Sequence, residues 1–177
     1  MRIVAGSARG RRIEAPPGFD TRPTTDRVRE ALFNALGSMG AVDGATVLDL
    51  FAGSGALGLE ALSRSAAHVT FVESDRRAAQ VVRRNVEHLG FDGRADVVVG
   101  DALAHLARAD PVDLALCDPP YSFDRWDDLL GAVRAGVVVV ESDRPIQPPA
   151  PWRLDRSKRY GSTFVTIVSQ PSSAPPE

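Results

Sequence analysis

Five short aliphatic runs, "VLDLF", "VTFV", "VVV", "LALC" and "VVVV", recur along the chain with helix-patterned sequence between them. This alternation constrains the fold more than any other feature. A strand with one wet face alternates apolar and polar residues, whereas these runs are apolar throughout and call for burial on both faces. That requirement is met by a parallel sheet sandwiched between helices, the doubly wound α/β architecture. The pattern predicts strands near 46–51, 68–73, 96–99, 112–117 and 136–141, and helices near 56–64, 75–89, 101–108 and 124–134. The later stretch "WRLDRSKRYGSTFVTIVSQ" reads as a hairpin of two more strands. The expectation is a mostly parallel seven-stranded sheet closed by an antiparallel hairpin, one domain over 1–168, and a disordered tail over 169–177.

Ahead of the alternating region, "RIVAG" and "RRIEA" flank Ser7-Ala8-Arg9-Gly10, predicting a small basic β-hairpin within an extension over residues 1–20. The segment "RPTTDRVREALFNAL" predicts a helix capped by Thr25 or Asp26, with Val28, Ala31, Leu32, Ala35 and Leu36 as its apolar stripe. The formal charge of the chain is −2, yet residues 1–29 carry +4 and the remainder −6. A second basic cluster, Arg153, Arg156, Lys158 and Arg159 against Asp155, lies near the end. Both patches fit a phosphate-rich partner and equally fit a solvated arginine-rich face. The longest purely aliphatic run is Val137 to Val140, too short for a membrane span or a signal segment, so a cytoplasmic protein is expected. A lone cysteine, Cys117, excludes an internal disulfide, and the dispersed His68, His88 and His105 predict no metal site.

In a doubly wound sheet, ligands bind beyond the carboxyl ends of the strands at the point where strand order reverses. "DLFAGSGALGLE", Asp49 to Glu60, follows the first strand and spells G-x-G-x-x-G through Gly53, Gly55 and Gly58, with Phe51 entering the loop. Glycines permit a tight turn and a close backbone approach to a ligand. Twenty residues past Gly53, at the end of the second strand, Glu73 is placed to accept hydrogen bonds from both hydroxyls of a ribose. A nucleoside-containing cofactor is implied, either a dinucleotide or S-adenosylmethionine. Three features favour the latter. Asp49 can face an amino acid's ammonium group but would repel a pyrophosphate. Asp101, after the third strand, can accept from an adenine amine while the Ala102 N–H meets a ring nitrogen. The third feature is "DPPY", Asp118-Pro119-Pro120-Tyr121, after the fourth strand.

An amine attached to a nucleobase is a poor nucleophile because its lone pair is delocalised into the ring. Asp118 and the Pro119 carbonyl can each accept one amine hydrogen, which aims the lone pair for in-line methyl transfer. Pro119 and Pro120 stiffen the loop, and Tyr121 offers a face on which the target ring can stack. Such a base must first leave its own stack.

With these motifs together, "RPTTDRVREALFNAL", "LDLFAGSGALGLEALSR", "DPPY" and the late "RYGST", the sequence resembles the RsmD family of 16S ribosomal RNA guanine-N(2)-methyltransferases over residues 1–168. The resemblance implies a Rossmann-like class I methyltransferase fold and S-adenosylmethionine as cofactor. It implies Arg22, Pro23 and Thr24 beside the methionine end, Glu73 at the ribose, Asp101 at the adenine, and Asp118 to Tyr121 at the target guanine. It also implies action on the assembling small subunit, with Arg9, Arg11 and Arg12 gripping rRNA; Arg27 is expected to join them, and the protein is expected to be a monomer. Between Tyr121 and Val137 only 15 residues remain, fewer than the family usually has, so the wall beside the target is expected to differ.

Rival readings stay open from the residues alone. Cys117 raises cytosine-C5 methylation, although a cysteine ending an aliphatic strand reads as a small buried hydrophobe. An amine methylase acting on DNA, a nicotinamide oxidoreductase using the same glycine loop, and a non-catalytic RNA-binding module are the others.

Overall fold

The computed structural model describes residues 1–17 and 26–171. Helix α1 (Asp26–Ser38) precedes the alternating part of the chain: β1 (Thr46–Leu50), α2 (Ala56–Ser63), β2 (His68–Glu73), α3 (Arg76–Leu89), β3 (Ala95–Val99), α4 (Ala102–Leu106), β4 (Val112–Cys117), α5 (Trp126–Ala132) and β5 (Ala135–Ser142). Strands β6 (Arg153–Tyr160) and β7 (Thr163–Ser169) complete one seven-stranded sheet of order β3-β2-β1-β4-β5-β7-β6. Pairing is parallel from β3 through β5 and antiparallel for β5·β7 and β6·β7. The expected sheet and its antiparallel closure are both present.

Burial on both faces explains the unbroken aliphatic runs. On one face α1, α2 and α3 contribute Leu32, Phe33, Leu59, Leu62, Val82 and Val86 to a core that includes Val47, Phe71 and Leu116. On the other, α4 and α5 bring Leu106, Leu129 and Leu130 against Leu48, Ala115 and Val138. Neighbouring residues of one strand thus enter opposite cores.

Helix ends follow local chemistry. Asp75 caps α3 by accepting from the Arg77 and Ala78 N–H groups, each at 2.8 Å, and Gly90 in the left-handed region closes it. Helix α4 stops at Leu106 and α5 spans only Trp126–Ala132, both shorter than predicted. The Phe123 N–H bonds the Pro120 carbonyl at 2.8 Å, so a turn occupies the residues before α5. A 3-10 turn at Asp92–Arg94, unforeseen in the sequence, leads into β3.

The arms of the N-terminal extension pair antiparallel only briefly: Arg2 bridges Arg12, with the Ile3 N–H bonding the Arg11 carbonyl at 3.0 Å and the Ile13 N–H the Met1 carbonyl at 3.1 Å. The backbone donors that would extend a ladder are given to α2. Val4 and Ala5 N–H bond the two oxygens of Glu60 at 2.9 and 3.0 Å, Ala8 N–H bonds Ser63 Oγ at 3.0 Å, and Ser7 N–H bonds the Ser63 carbonyl at 2.8 Å. Ile3, Ala8 and Ile13 are buried in the core, so the extension is held by its short pairing, by hydrogen bonds to α2 and by apolar packing together.

Gly6 makes that docking possible, since it has φ +82° and an added Cβ would lie 1.8 Å from the Ser63 carbonyl oxygen. Gly6→Ala is expected to cost roughly 2–4 kcal/mol, combining left-handed strain with a backbone clash. Urea denaturation checks this; a loss below about 0.5 kcal/mol would show that the extension is not seated on α2 as described.

Candidate functional site

Strand order reverses between β1 and β4, and the carboxyl ends of β1, β2, β3 and β4 form one rim. Around the switch point stand Asp49, Glu73 and Asp118. Asp49 is 1% exposed, and its Oδ2 accepts from the Gly58 N–H at 2.9 Å. Helix α2 begins after Gly55, which has no side chain to cap it, so a carboxylate from the adjacent strand satisfies the third N–H of the helix. Glu73 is also buried; Oε2 accepts from the Gly53 N–H and Oε1 from the Asp75 N–H, each at 2.8 Å. Gly53 has φ +56° and Gly55 φ +79°, and between them the loop is tied to β2 by the carboxylate that the sequence places beside a ribose.

These carboxylates feel one another. Burial raises the Asp49 carboxyl well above the usual range, and the charges of Asp118 and Glu73 raise it further. Desolvation lifts Asp118 to about 6. A buried crevice in which the Asp118 and Glu73 charges oppose the ionisation of Asp49 suits a cation. Pyrophosphate fits poorly, because it would meet this negative rim and because the first-turn donor at Gly58 is already spent on Asp49. The residues present fit S-adenosylmethionine, with a positive sulfonium and ammonium, better than a dinucleotide.

Asp101 sits past β3 as the N-cap of α4; Oδ1 accepts from the Ala104 N–H at 2.8 Å, while the side chain stays exposed and Ala102 is buried. It is both the capping residue that its position suggests and a carboxylate at the rim.

The "DPPY" loop leaves β4 directly at the switch point. Asp118 is partly buried, Pro119 buried, and Pro120 and Tyr121 exposed. Tyr121 Oη and Thr163 Oγ1 are 2.8 Å apart, which ties the loop to the start of β7. Phe51, at φ +60°, stacks edge-on against Phe123 at 5.3 Å, and Phe123 against Trp126 at 4.9 Å. This aromatic row fills the short segment after Tyr121. Cys117 is fully buried between Leu50 and Val140, and burial plus the flanking Asp49 and Asp118 pushes its thiol far up, so no thiolate is available for attack.

The sequence-predicted set divides on inspection. Asp49, Phe51, Gly53, Gly55, Glu73, Asp101, Ala102 and Asp118 to Tyr121 gather along one rim, while Arg22, Pro23 and Thr24 lie outside the described residues. Arg9, Arg12 and Arg27 are exposed. Arg11 is exposed as well, and its guanidinium donates to the Leu89 carbonyl at 3.2 Å and to the His88 carbonyl, at the last turn of α3. That is a capping contact that helps seat the extension.

Three residues at the site were missed. Asn85 joins the Glu14 backbone to the glycine loop, donating to the Ser54 and Glu14 carbonyls at 2.9 Å each and accepting from the Glu14 N–H at 2.8 Å. A polar residue within the apolar stripe of α3 was the available signal. Glu60 and Arg29, both fully buried and 3.5 Å apart, fasten α1 and the extension to α2. Nothing in their spacing separates them from ordinary surface charges.

A doubly wound sheet with an antiparallel last hairpin, a glycine loop after β1 and acidic residues at successive strand ends defines the class I methyltransferase fold. Comparisons narrow this further. The chain belongs to the family described as Conserved hypothetical protein 95, whose model matches residues 1–169, as its likeness to the RsmD family led us to expect. It is 39% identical over 181 residues to ribosomal RNA small subunit methyltransferase D of Escherichia coli strain K12, covering 96% of this chain and 90% of that one. The protein of that name from Haemophilus influenzae is 34% identical over 174 residues, 91% and 89% of the two chains. Among solved structures, Escherichia coli yhhF matches with TM-score 0.85 at 39% identity over 96% of this chain and 97% of that one. A hypothetical protein of Thermus thermophilus matches with TM-score 0.82 at 31% identity, covering 96% and 99%.

Proposed function

We propose that this chain is an S-adenosylmethionine-dependent methyltransferase that modifies the exocyclic N2 amine of one guanine in 16S rRNA of the assembling small subunit. The observation that carries this reading is the placement of Asp118 and Pro119 at the mouth of a crevice whose other acidic members, Asp49 and Glu73, suit a cationic cofactor. The relatives named small subunit methyltransferases support the choice of substrate. When bound, S-adenosylmethionine supplies an electrophilic methyl on a positive sulfur. The chain's part is to orient the amine. Asp118 and the Pro119 carbonyl accept its two hydrogens, localising the lone pair, and Asp118, raised to about 6, can then take up the proton that the methylated amine releases. Pro120 and Tyr121 form the wall on which the flipped guanine rests. In this reading the enzyme works as a cytoplasmic monomer.

The test is transfer of labelled methyl to unmodified small subunits, protein-free 16S rRNA and duplex DNA, followed by nucleoside identification. N2-methylguanosine from the subunit is expected; 5-methylcytosine, or label in DNA alone, would overturn the proposal. A domain of this size is expected to need a folded ribonucleoprotein to select one base, so protein-free rRNA should be the poorer substrate, and equal rates would contradict that.

The pH profile follows from Asp118. The acceptor role needs the ionised carboxylate, so kcat/KM should rise about tenfold per pH unit below 6 and level off above it. A bound cation favours the charged form, so kcat at saturating cofactor should reach its plateau at lower pH. A flat kcat/KM profile between pH 5 and 7 would remove Asp118 from the chemistry.

A further inference from the structure

The late basic cluster was left undecided by the sequence, and the functional site does not use it. It forms β6, at the edge of the sheet, paired among the described residues only with β7. Asp155, the acidic residue of this strand, is already held by Arg153 at 2.8 Å. Arg156 and Lys158, both exposed, have no carboxylate partner among the described residues. They stand opposite Ile167 and Val165, whose side chains enter the α1 face of the core. On that face Arg156, Lys158 and Tyr160 border a shallow groove with Ala31, Leu32 and Ala35 of α1, floored by Val165 and Ile167. The alanines leave the groove open where larger residues would close it. Lys158 Nζ lies 5.1 Å from the Tyr160 ring centre, which holds the ammonium at the lip.

The turn after β6 touches the reaction loop. Tyr160 pairs with Thr163 in the β6·β7 turn, and Thr163 Oγ1 is 2.8 Å from Tyr121 Oη. Arg27, also exposed, lies one helical turn before Ala31 on α1.

We propose that the groove between α1 and β6 is a binding surface for the ribose-phosphate backbone of structured RNA, holding the strand that leads to the flipped base. This deepens the methyltransferase reading and rests on it. Charge complementarity selects the occupant. Alternate residues of a strand stand about 6.6–6.8 Å apart, so Arg156 and Lys158 can each meet a separate phosphate. A second copy pairing along β6 would bring like charges together, which is how sheet edges are kept from such pairing.

The test is the double variant Arg156→Glu/Lys158→Glu, with Arg156→Gln/Lys158→Gln beside it should charge reversal disturb folding. Filter binding to protein-free 16S rRNA and to unmodified small subunits is measured across a salt series. Affinity is expected to fall at least tenfold at low salt for charge reversal. The slope of log affinity against log salt should become shallower by about 1.4–1.8, two contacts at about 0.7–0.9 each, in the glutamine variant. S-adenosylmethionine affinity and melting temperature should stay unchanged. Unaltered RNA affinity and slope would overturn the surface, as would self-association of the variants with RNA binding intact, since the charges would then serve only to protect the edge. Wild-type methyl transfer separates the two claims. A wild type that binds RNA through these residues but transfers no methyl removes the activity and keeps the surface. One that methylates rRNA, with variants that bind and react like it, does the reverse.

Discussion

Asp118→Ala is expected to slow methyl transfer about 30- to 1,000-fold with cofactor binding retained, a loss of about 2–4 kcal/mol of transition-state stabilisation. The carboxylate sits at the end of β4 with its charge desolvated, so the energy of holding it there is recovered only when an amine donates to it. Asp118→Asn keeps one acceptor oxygen and adds a donor, and should fall between wild type and alanine. Stability moves the other way. A carboxyl whose folded pKa, about 6, exceeds its model value of 3.8 binds its proton more tightly in the native state, so folding stability falls as pH rises from about 4 to 6. The penalty persists above that, and at pH 7.5 the alanine variant should melt no lower than wild type. An inactive variant that also melts well below wild type would point to a structural role; undiminished turnover would remove the mechanism.

Glu60→Ala should produce the largest loss of stability. Glu60 has its side chain wholly buried and accepts from Val4 and Ala5 N–H, from Arg64 Nε at 2.9 Å, and lies 3.5 Å from Arg29 Nε. Truncation leaves two backbone donors unmet and leaves Arg29, itself 0% exposed, with the outer carboxylate of Asp26 as its remaining ion-pair partner among the described residues. Removing one member of a buried ion pair costs about 3–5 kcal/mol, which for a chain of this size is a drop of roughly 6–20 °C in Tm. Glu60→Gln retains an acceptor oxygen and should lose less. Thermal melts read the result directly, and a change under about 1 kcal/mol would mean that the extension and α1 are held by apolar packing alone.

The parallel sheet was legible because burial on both faces leaves no room for polar alternation, and runs such as "VVVV" have no other stable use in a chain this long. The rim residues were legible for a related reason. Once β1, β2 and β4 are located, Glu73 and Asp118 stand at their carboxyl ends by construction, and a parallel sheet puts those ends on one side. How the front segment docks was not legible, because alternation in "RIVAG" and "RRIEA" reports that one side is buried, not that the Val4 and Ala5 N–H groups are given to Glu60 of α2. The Arg11 contact was not legible either: an arginine in a basic segment looks the same whether its partner is a phosphate or a helix C-terminus.

Local sequence determined which stretches become strands and helices, where the glycine loop turns, and which carboxylates reach the rim, since each depends on period, propensity and position along one strand. Tertiary structure decided what those groups do to one another. Asp49 caps a helix that it precedes by several residues, Glu60 holds a segment more than fifty residues away, and the cations of β6 open onto the small residues of α1. Each of these is a pairing across the fold, set by distances of a few ångströms between residues that the chain itself keeps far apart, and hydrogen bonding and electrostatics act on those distances alone.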